Sequence, residues 1–199
     1  ENLKIYAAGS NIVNPLLEPS YVNRKYDTYK LFPTMYAKIS LPFGIVFTSN
    51  FTQRIDFTRR FLFNDSENPI WAKGSLNEGV TRSYTQLYEW QSDNIINWSK
   101  SFGKHHFDVT GLANAERNQS WYTSAFANNF SPSNILGFNN MSYGLQQMTD
   151  ADDSADSRSA IMGRVNYSFM KRYYLSASIR QDGYSRFGAQ KRYATFPSV

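Results

Sequence analysis

The chain has 199 residues and no cysteine, so neither a disulfide framework nor a cysteine-ligated metal is open to it. Its net charge of +5 is scattered in short pairs such as Arg59-Arg60 and Lys171-Arg172. No basic stripe forms, and nucleic acid is excluded as a partner. Aromatic residues make up 17%, with a mean hydropathy of −0.53. So many rings with so little aliphatic bulk suit two classes: a transmembrane barrel with ring girdles and a polar lumen, or a soluble aromatic-rich β-sandwich that binds carbohydrate.

No run of about eighteen apolar residues occurs, so no membrane-crossing helix is expected; barrel strands are not excluded by this. The first residues, Glu1-Asn-Leu-Lys-Ile-Tyr6, lack the charged head and apolar middle of a signal peptide. For an exported protein this leads us to expect a start beyond the natural N-terminus. Residues 1–33 are polar and broken by Pro15, Pro19 and Pro33; they read as a strand end followed by a long loop.

Residues 34–63 alternate. Ala37, Ile39, Leu41, Phe43, Ile45, Phe47, Phe51, Ile55, Phe57, Phe61 and Phe63 hold odd positions, while Lys38, Ser40, Thr48, Asn50, Thr52, Arg54, Asp56, Thr58 and Arg60 hold even ones. A period of two marks a strand with two unlike faces. Ser49, Gln53 and Arg59 interrupt the apolar set. Pro42-Phe43-Gly44 supplies a turn, giving strands over 34–41 and 45–63. The second is far longer than an ordinary soluble strand of about 5–6 residues.

A loop over 64–83 precedes a strand over 84–102, whose apolar side is Tyr88, Trp90, Ile96, Trp98 and Phe102. Gly103-Lys104 is a two-residue hairpin turn. The return strand, 105–120, puts Phe107, Val109, Gly111, Ala113 and Ala115 opposite His106, Asp108, Thr110, Asn114 and Glu116. Residues 121–157 are rich in Asn, Ser and Asp and read as a large loop; Trp71 in the 64–83 loop, and Trp121 and Tyr122 here, are loop rings able to stack on a sugar face or to pack the loops.

The last forty or so residues are the most regular. Ile161, Gly163, Val165, Tyr167 and Phe169 share one face, and Arg164, Asn166 and Ser168 the other. After a turn at Met170-Lys171-Arg172, Tyr173, Leu175, Ala177 and Ile179 alternate with Ser176, Ser178, Arg180 and Asp182. Asp182-Gly183 reads as the turn ending this strand, with Arg186 able to pair with Asp182. The three short turns alternate with long connections. Antiparallel order then sorts short turns to one rim and long loops to the other, as in outer-membrane barrels. About six strands emerge, too few to close a membrane barrel of about eight or more. An open edge cannot sit in lipid, so the expectation is an all-β, antiparallel, up-and-down piece of a larger barrel. Its wet wall would carry Arg54, Asp56, Asp108, Arg164, Asn166, Arg180 and Asp182 into the lumen. They could pair with one another or meet a hydrated solute.

Metal and catalytic readings are weak. His105 and His106 are adjacent on a strand and point to opposite faces, so they cannot chelate one ion. Asp150, Asp152, Asp153 and Asp156 crowd the 150–156 segment, but Ala155 and Ile161 stand where a calcium loop needs Gly and Glu. A solvated acidic loop is preferred over a loose Ca2+ site, and no cofactor is expected. No nucleophile elbow, phosphate loop or metalloprotease motif appears, so no enzyme activity is expected.

One resemblance adds to this. Gly163-Arg164-Val-Asn166-Tyr167, then Arg172-Tyr173, then Arg180-Gln-Asp182-Gly183-Tyr-Ser185-Arg186-Phe187-Gly188, then Phe196-Pro197-Ser198, is similar in order and spacing to the mid-barrel signature of SusC/RagA-type TonB-dependent outer-membrane transporters. Tyr184 departs from the family's usual small residue. The resemblance implies a bacterial outer-membrane barrel of about 22 strands, blocked by an N-terminal plug that is absent from this stretch. It also implies that the C-terminal residues stop inside the motif. Its implied partners are membrane lipid, a SusD-like lipoprotein lid, the TonB-ExbB-ExbD machinery acting on the plug, and an oligosaccharide or peptide substrate. The signature residues read as architectural. The alternatives are a passive porin, a siderophore-type receptor barrel, and the soluble sandwich.

Overall fold

The computed structural model describes residues 16, 18–65, 68, 78–130, 139–188 and 191–199. After a one-turn helix, α1 (Glu18–Tyr21), they form eight strands: β1 (Val22–Leu31), β2 (Thr34–Leu41), β3 (Ile45–Asn64), β4 (Gly79–Phe102), β5 (His105–Asn128), β6 (Gln146–Phe169), β7 (Tyr173–Tyr184) and β8 (Tyr193–Ser198). They make one sheet in the order β1-β3-β4-β5-β6-β7-β8, with β2 also pairing β3. Beyond β3, each strand pairs with the next in sequence. The sheet is antiparallel and unclosed in this chain. No described helix is long and apolar enough to cross a membrane, which says nothing of strands.

β1 and β2 share the same edge of β3. Pro33, which has no N–H, separates them, and its carbonyl accepts the Gln53 N–H at 3.0 Å. β2 then pairs from Thr34↔Thr52 to Leu41↔Ile45. The hairpin after β6 turns on Met170 and Lys171, both at φ 56°, and pairs from Phe169↔Tyr173 to Arg158↔Tyr184. Positive φ at both central residues matches the right-handed twist of the flanking strands.

Residues opposed in register share a face, and the registers confirm the alternation. Met35↔Phe51, Ile39↔Phe47 and Leu41↔Ile45 stand on one face of β2–β3, and Tyr36↔Asn50 and Lys38↔Thr48 on the other. In β6–β7, Val165↔Ala177 and Tyr167↔Leu175 oppose the face of Arg164↔Ser178 and Asn166↔Ser176.

Among the described residues no second layer lies on the apolar face. Among the described residues the buried apolar side chains are Val80, Ala127 and Ala160, whereas Ile161, Leu175 and Ile179 are more than half exposed. A lone sheet must bury its apolar face against something.

Several expectations are corrected. Eight strands stand where about six were expected. β1 occupies part of the expected loop 1–33, and β8 adds a strand beyond the last hairpin. β4 starts at Gly79, β5 runs on to Asn128 and β6 starts at Gln146, so much of the expected 121–157 loop is strand. Trp121 and Tyr122 therefore lie in β5, and Asp150, Asp152, Asp153 and Asp156 lie in β6 rather than a calcium loop. Asp182 and Gly183 are inside β7, not at a turn. Trp71 lies outside the described residues.

The chain divides into two compact units. A loop unit holds Asp56–Gln86, Trp121–Asp153 and the segment up to Tyr29, including the connections β3–β4 and β5–β6. A turn unit holds Lys30–Ile55, Leu87–Ser120 and Ser154–Val199, and with them the turns at Pro42–Gly44, Gly103-Lys104 and Met170–Arg172. The connection after the short β7 also falls in the turn unit.

Candidate functional site

In the turn unit the apolar face carries a band of rings next to the short turns. Trp98 meets Phe102 at 6.4 Å, Phe102 meets Phe107 at 6.4 Å, and Phe107 meets Tyr167 at 4.9 Å. His105 packs on Phe169 at 4.8 Å, and Phe169 on Tyr173 at 6.4 Å. Rings with a polar edge suit a bilayer interface, and such girdles mark the ends of the apolar band of membrane barrels. His106 points the other way, bonding Ser101 at 2.8 Å and lying 3.1 Å from Asp108. The two histidines take opposite faces, as their adjacency required.

The polar residues that interrupt the apolar face are matched to each other. Ser49 donates to Asn94 at 2.8 Å, Asn94 to Ser92 at 3.2 Å, and Gln53 to the Tyr88 hydroxyl at 2.9 Å. Phe51 and Trp90, 6.3 Å apart, sit on the same face. Pairing removes most of the penalty for placing polar atoms on an apolar wall.

The opposite face is a polar wall. Arg54 lies 3.8 Å from Glu89 and over the Phe32 ring at 5.6 Å. Asn114 donates to Asp93 at 2.6 Å and Thr110 to Asn97 at 2.9 Å. Ser176 donates to Asn166 at 2.8 Å. Arg158 lies 3.7 Å from Glu116. Arg180 Nε contacts both carboxylate oxygens of Asp182, at 2.9 and 3.0 Å. Arg164, opposite Ser178, has no ion-pair partner among the described residues. An open groove of about 410 Å³ on this wall is lined in part by His106, Asp108, Asn166 and Ser176. Asp56 is buried in the loop unit.

Of the expected lumen residues, Asp108, Asn166, Arg180 and Asp182 are tied to immediate neighbours. Sequence reading put Asn114 and Glu116 on the polar side of their strand but missed their partners Asp93 and Arg158, and missed Glu89 and Asn97. The signal was available: odd positions of 87–97 are polar wherever even ones carry Tyr88, Trp90 and Ile96, and Leu87 and Ile95 hid it.

Around the signature, the expected Arg186–Asp182 pair does not form. Arg186 Nη2 binds Asp156 Oδ2 at 2.8 Å, and Asp156 is 7% exposed. Ser185 is linked twice to Ser157: its N–H donates to the Ser157 carbonyl at 2.9 Å, and its hydroxyl oxygen accepts the Ser157 N–H at 2.8 Å. Gly183 faces Tyr193 of β8, whose ring would stand 2.6 Å from any Cβ there. Phe187 packs edge-on to Tyr184 at 5.2 Å. These signature residues bind β6, β7 and the connection to β8 together. Among the described residues no group of three or more His, Cys, Asp or Glu side chains converges to hold a metal.

No known protein-family profile matches the chain. A TonB-dependent receptor of Formosa agariphila is 30% identical over 166 residues, covering 82% of this chain and 16% of that protein. A second TonB-dependent receptor of the same organism is 28% identical over 197 residues, covering 98% of this chain and 19% of the receptor. The solved RagAB peptide transporter shares the fold, with a TM-score of 0.79 at 19% identity, covering 96% of this chain and 22% of the solved one. The RagAB peptide importer in its open-open state superposes with a TM-score of 0.77 at 18% identity. The chain is thus similar in sequence to a stretch of TonB-dependent receptors and shares its fold with the barrel wall of the solved RagAB transporter. It spans under a fifth of the length of the curated receptors it matches. Such receptor barrels belong to the outer membrane.

Proposed function

We propose that this chain is a wall segment of an active outer-membrane importer. The whole protein, with a plug in its barrel, takes up oligosaccharides or peptides. A SusD-like lipoprotein captures the solute outside, and TonB, energised through ExbB-ExbD, acts on the plug. The segment itself supplies barrel wall and outer extensions. One observation carries this reading: an unclosed single-layer sheet with an uncovered apolar face, a ring band beside its short turns, and an ion-paired polar face. An apolar face without protein cover needs lipid, and a wall of matched charges and amides suits hydrated solutes.

The solved relatives with the matching fold are named as a peptide transporter and importer, which makes peptides the first class to try. Cells expressing the full-length protein should accumulate labelled oligopeptide or oligosaccharide, and loss of TonB should reduce uptake to background. Uptake that persists without TonB would instead indicate a passive pore.

A further inference from the structure

The polar wall of the turn unit changes character where it meets its short turns. Ser101 bonds His106 on this face, and Ser168 stands on it opposite Tyr174. The β4–β5 and β6–β7 turns beside them are tied together, because the Met170 N–H donates to the Lys104 carbonyl at 2.8 Å. The Tyr174 hydroxyl donates to the Lys171 carbonyl at 2.8 Å and braces the second turn. An open pocket of about 440 Å³ lies here, lined in part by Ser101, Lys104, His106, Ser168 and Lys171. It adjoins the groove of about 410 Å³ on the same wall, since His106 and Ser168 line both.

The charge of this pocket is one-sided. Lys104 and Lys171 are exposed, and neither has an ion-pair partner among the described residues. No acidic residue occurs from Trp98 to Phe107 or from Tyr167 to Leu175. The carboxylate of the adjoining groove, Asp108, is already engaged by His106 at 3.1 Å. Elsewhere this wall pairs Arg54 with Glu89, Arg158 with Glu116 and Arg180 with Asp182. Two unmatched ammonium groups beside the Ser168 hydroxyl supply the charge and the donors that a carboxylate ligand needs.

We propose that this pocket binds the carboxylate of an imported solute, with the rest of the solute lying in the adjoining groove. The groove suits such a chain. Asn166 accepts from Ser176 through its side-chain carbonyl, which leaves its amide N–H groups to donate to a ligand, and Tyr174 presents a ring. The inference rests on the import reading above and narrows it to solutes that carry a carboxylate, whether a peptide C-terminus or a uronate sugar. Short turns of outer-membrane barrels lie on the periplasmic side, so the pocket stands at the end of the wall where a solute leaves.

The test titrates full-length receptor in detergent with a tetra-alanine peptide, its C-terminal amide, trigalacturonate and its methyl ester. Calorimetry reads affinity, and the rate at which acetic anhydride modifies each lysine, followed by mass spectrometry, reads place. At least one free acid should bind about tenfold more tightly than its neutral counterpart and slow acetylation of Lys104 and Lys171 several-fold. The acid that does so tells peptide from uronate. Lys104→Gln with Lys171→Gln should lose about tenfold in affinity, whereas Lys104→Arg with Lys171→Arg should keep most of it. Lys100 lies over Phe102 on the ring face, so Lys100→Gln should bind as the wild type does. Heat-modifiable electrophoretic migration verifies that each variant is a folded barrel. The proposal is overturned if neither acid protects the two lysines, if the double glutamine variant binds as tightly as wild type, or if Lys100→Gln weakens binding equally. Uptake by the same cells is scored separately. TonB-dependent import alongside any of those results refutes only the pocket, while loss of TonB dependence refutes the import reading.

Discussion

The turn unit and the loop unit use the same strands differently. In the turn unit the parity of a residue tells its surroundings: rings and aliphatics on one face, matched ions and amides on the other. In the loop unit Asp65, Glu78 and Asn128 are buried to within 4% exposure while Tyr29 stands 60% exposed. Alternation is a response to a difference between the two sides of a sheet. Where one side is oil and the other water, that difference is large. Where both sides are wet, the faces are free to carry other patterns, and packing is local. An enclosed spot in the loop unit shows this. Val80, Ala127 and Asn128 are fully buried, and the backbone at Gly79 and Gly144 closes on Ala127 and Asn128.

That spot should therefore be the most fragile point in the chain. Gly79 has φ +122°, and a Cβ there would stand 2.3 Å from the Ala127 carbonyl oxygen. Gly79→Val combines backbone strain with a clash against backbone that cannot move aside, at a cost of about 2–6 kcal/mol. The full-length variant should show a sharp drop in the heat-modifiable, folded fraction. Wild-type yield would mean that the enclosed spot is not the anchor of the loop unit.

The turn unit is best challenged by two neighbouring residues. Ile179 lies on the apolar face opposite Gly163, and Ser178 on the polar face opposite Arg164. Ile179→Asp puts a charge into lipid and should cost about 1–3 kcal/mol. Ser178→Asp places the same charge opposite a cation and should be neutral within about 0.5 kcal/mol. Denaturant unfolding of the receptor in lipid vesicles measures both. Equal effects at the two positions would break the link between parity and lipid.

This contrast also explains what could be read from the chain alone. The hairpins of β2–β3, β4–β5 and β6–β7 were legible because each strand samples both environments. β1, Val-Asn-Arg-Lys-Tyr-Asp-Thr-Tyr-Lys-Leu, and the first half of β6, with Asp150, Asp152, Asp153 and Asp156, were not. Aspartate disfavours strands intrinsically, and no environmental contrast imposes a period on these stretches. They are strands because the neighbouring strand extends alongside them and their backbone groups must pair. On the polar wall, contacts between residues near in sequence were within reach, such as His106 with Asp108. Arg186 was assigned to Asp182 on the same logic of proximity, and the structure gives it to Asp156, thirty positions back.

That pair yields the smallest of these effects and the most specific. Asp156 is almost wholly buried while Arg186 is half exposed, 54% of its side chain being open. The exposed partner lowers the worth of the contact below that of a fully buried pair, so Asp156→Ala should cost about 1–2 kcal/mol. The loss should be local, because the Ser157–Ser185 links beside it remain. The observable is the rate of protease cleavage within 185–192 in the folded receptor, which should rise severalfold in Asp156→Ala and further when Ser185→Ala is added. Coupling between the two substitutions is expected, since both hold the same connection against β6. If cleavage occurs at the wild-type rate in the double variant, the signature's role lies elsewhere than in fixing how β7 leaves the sheet.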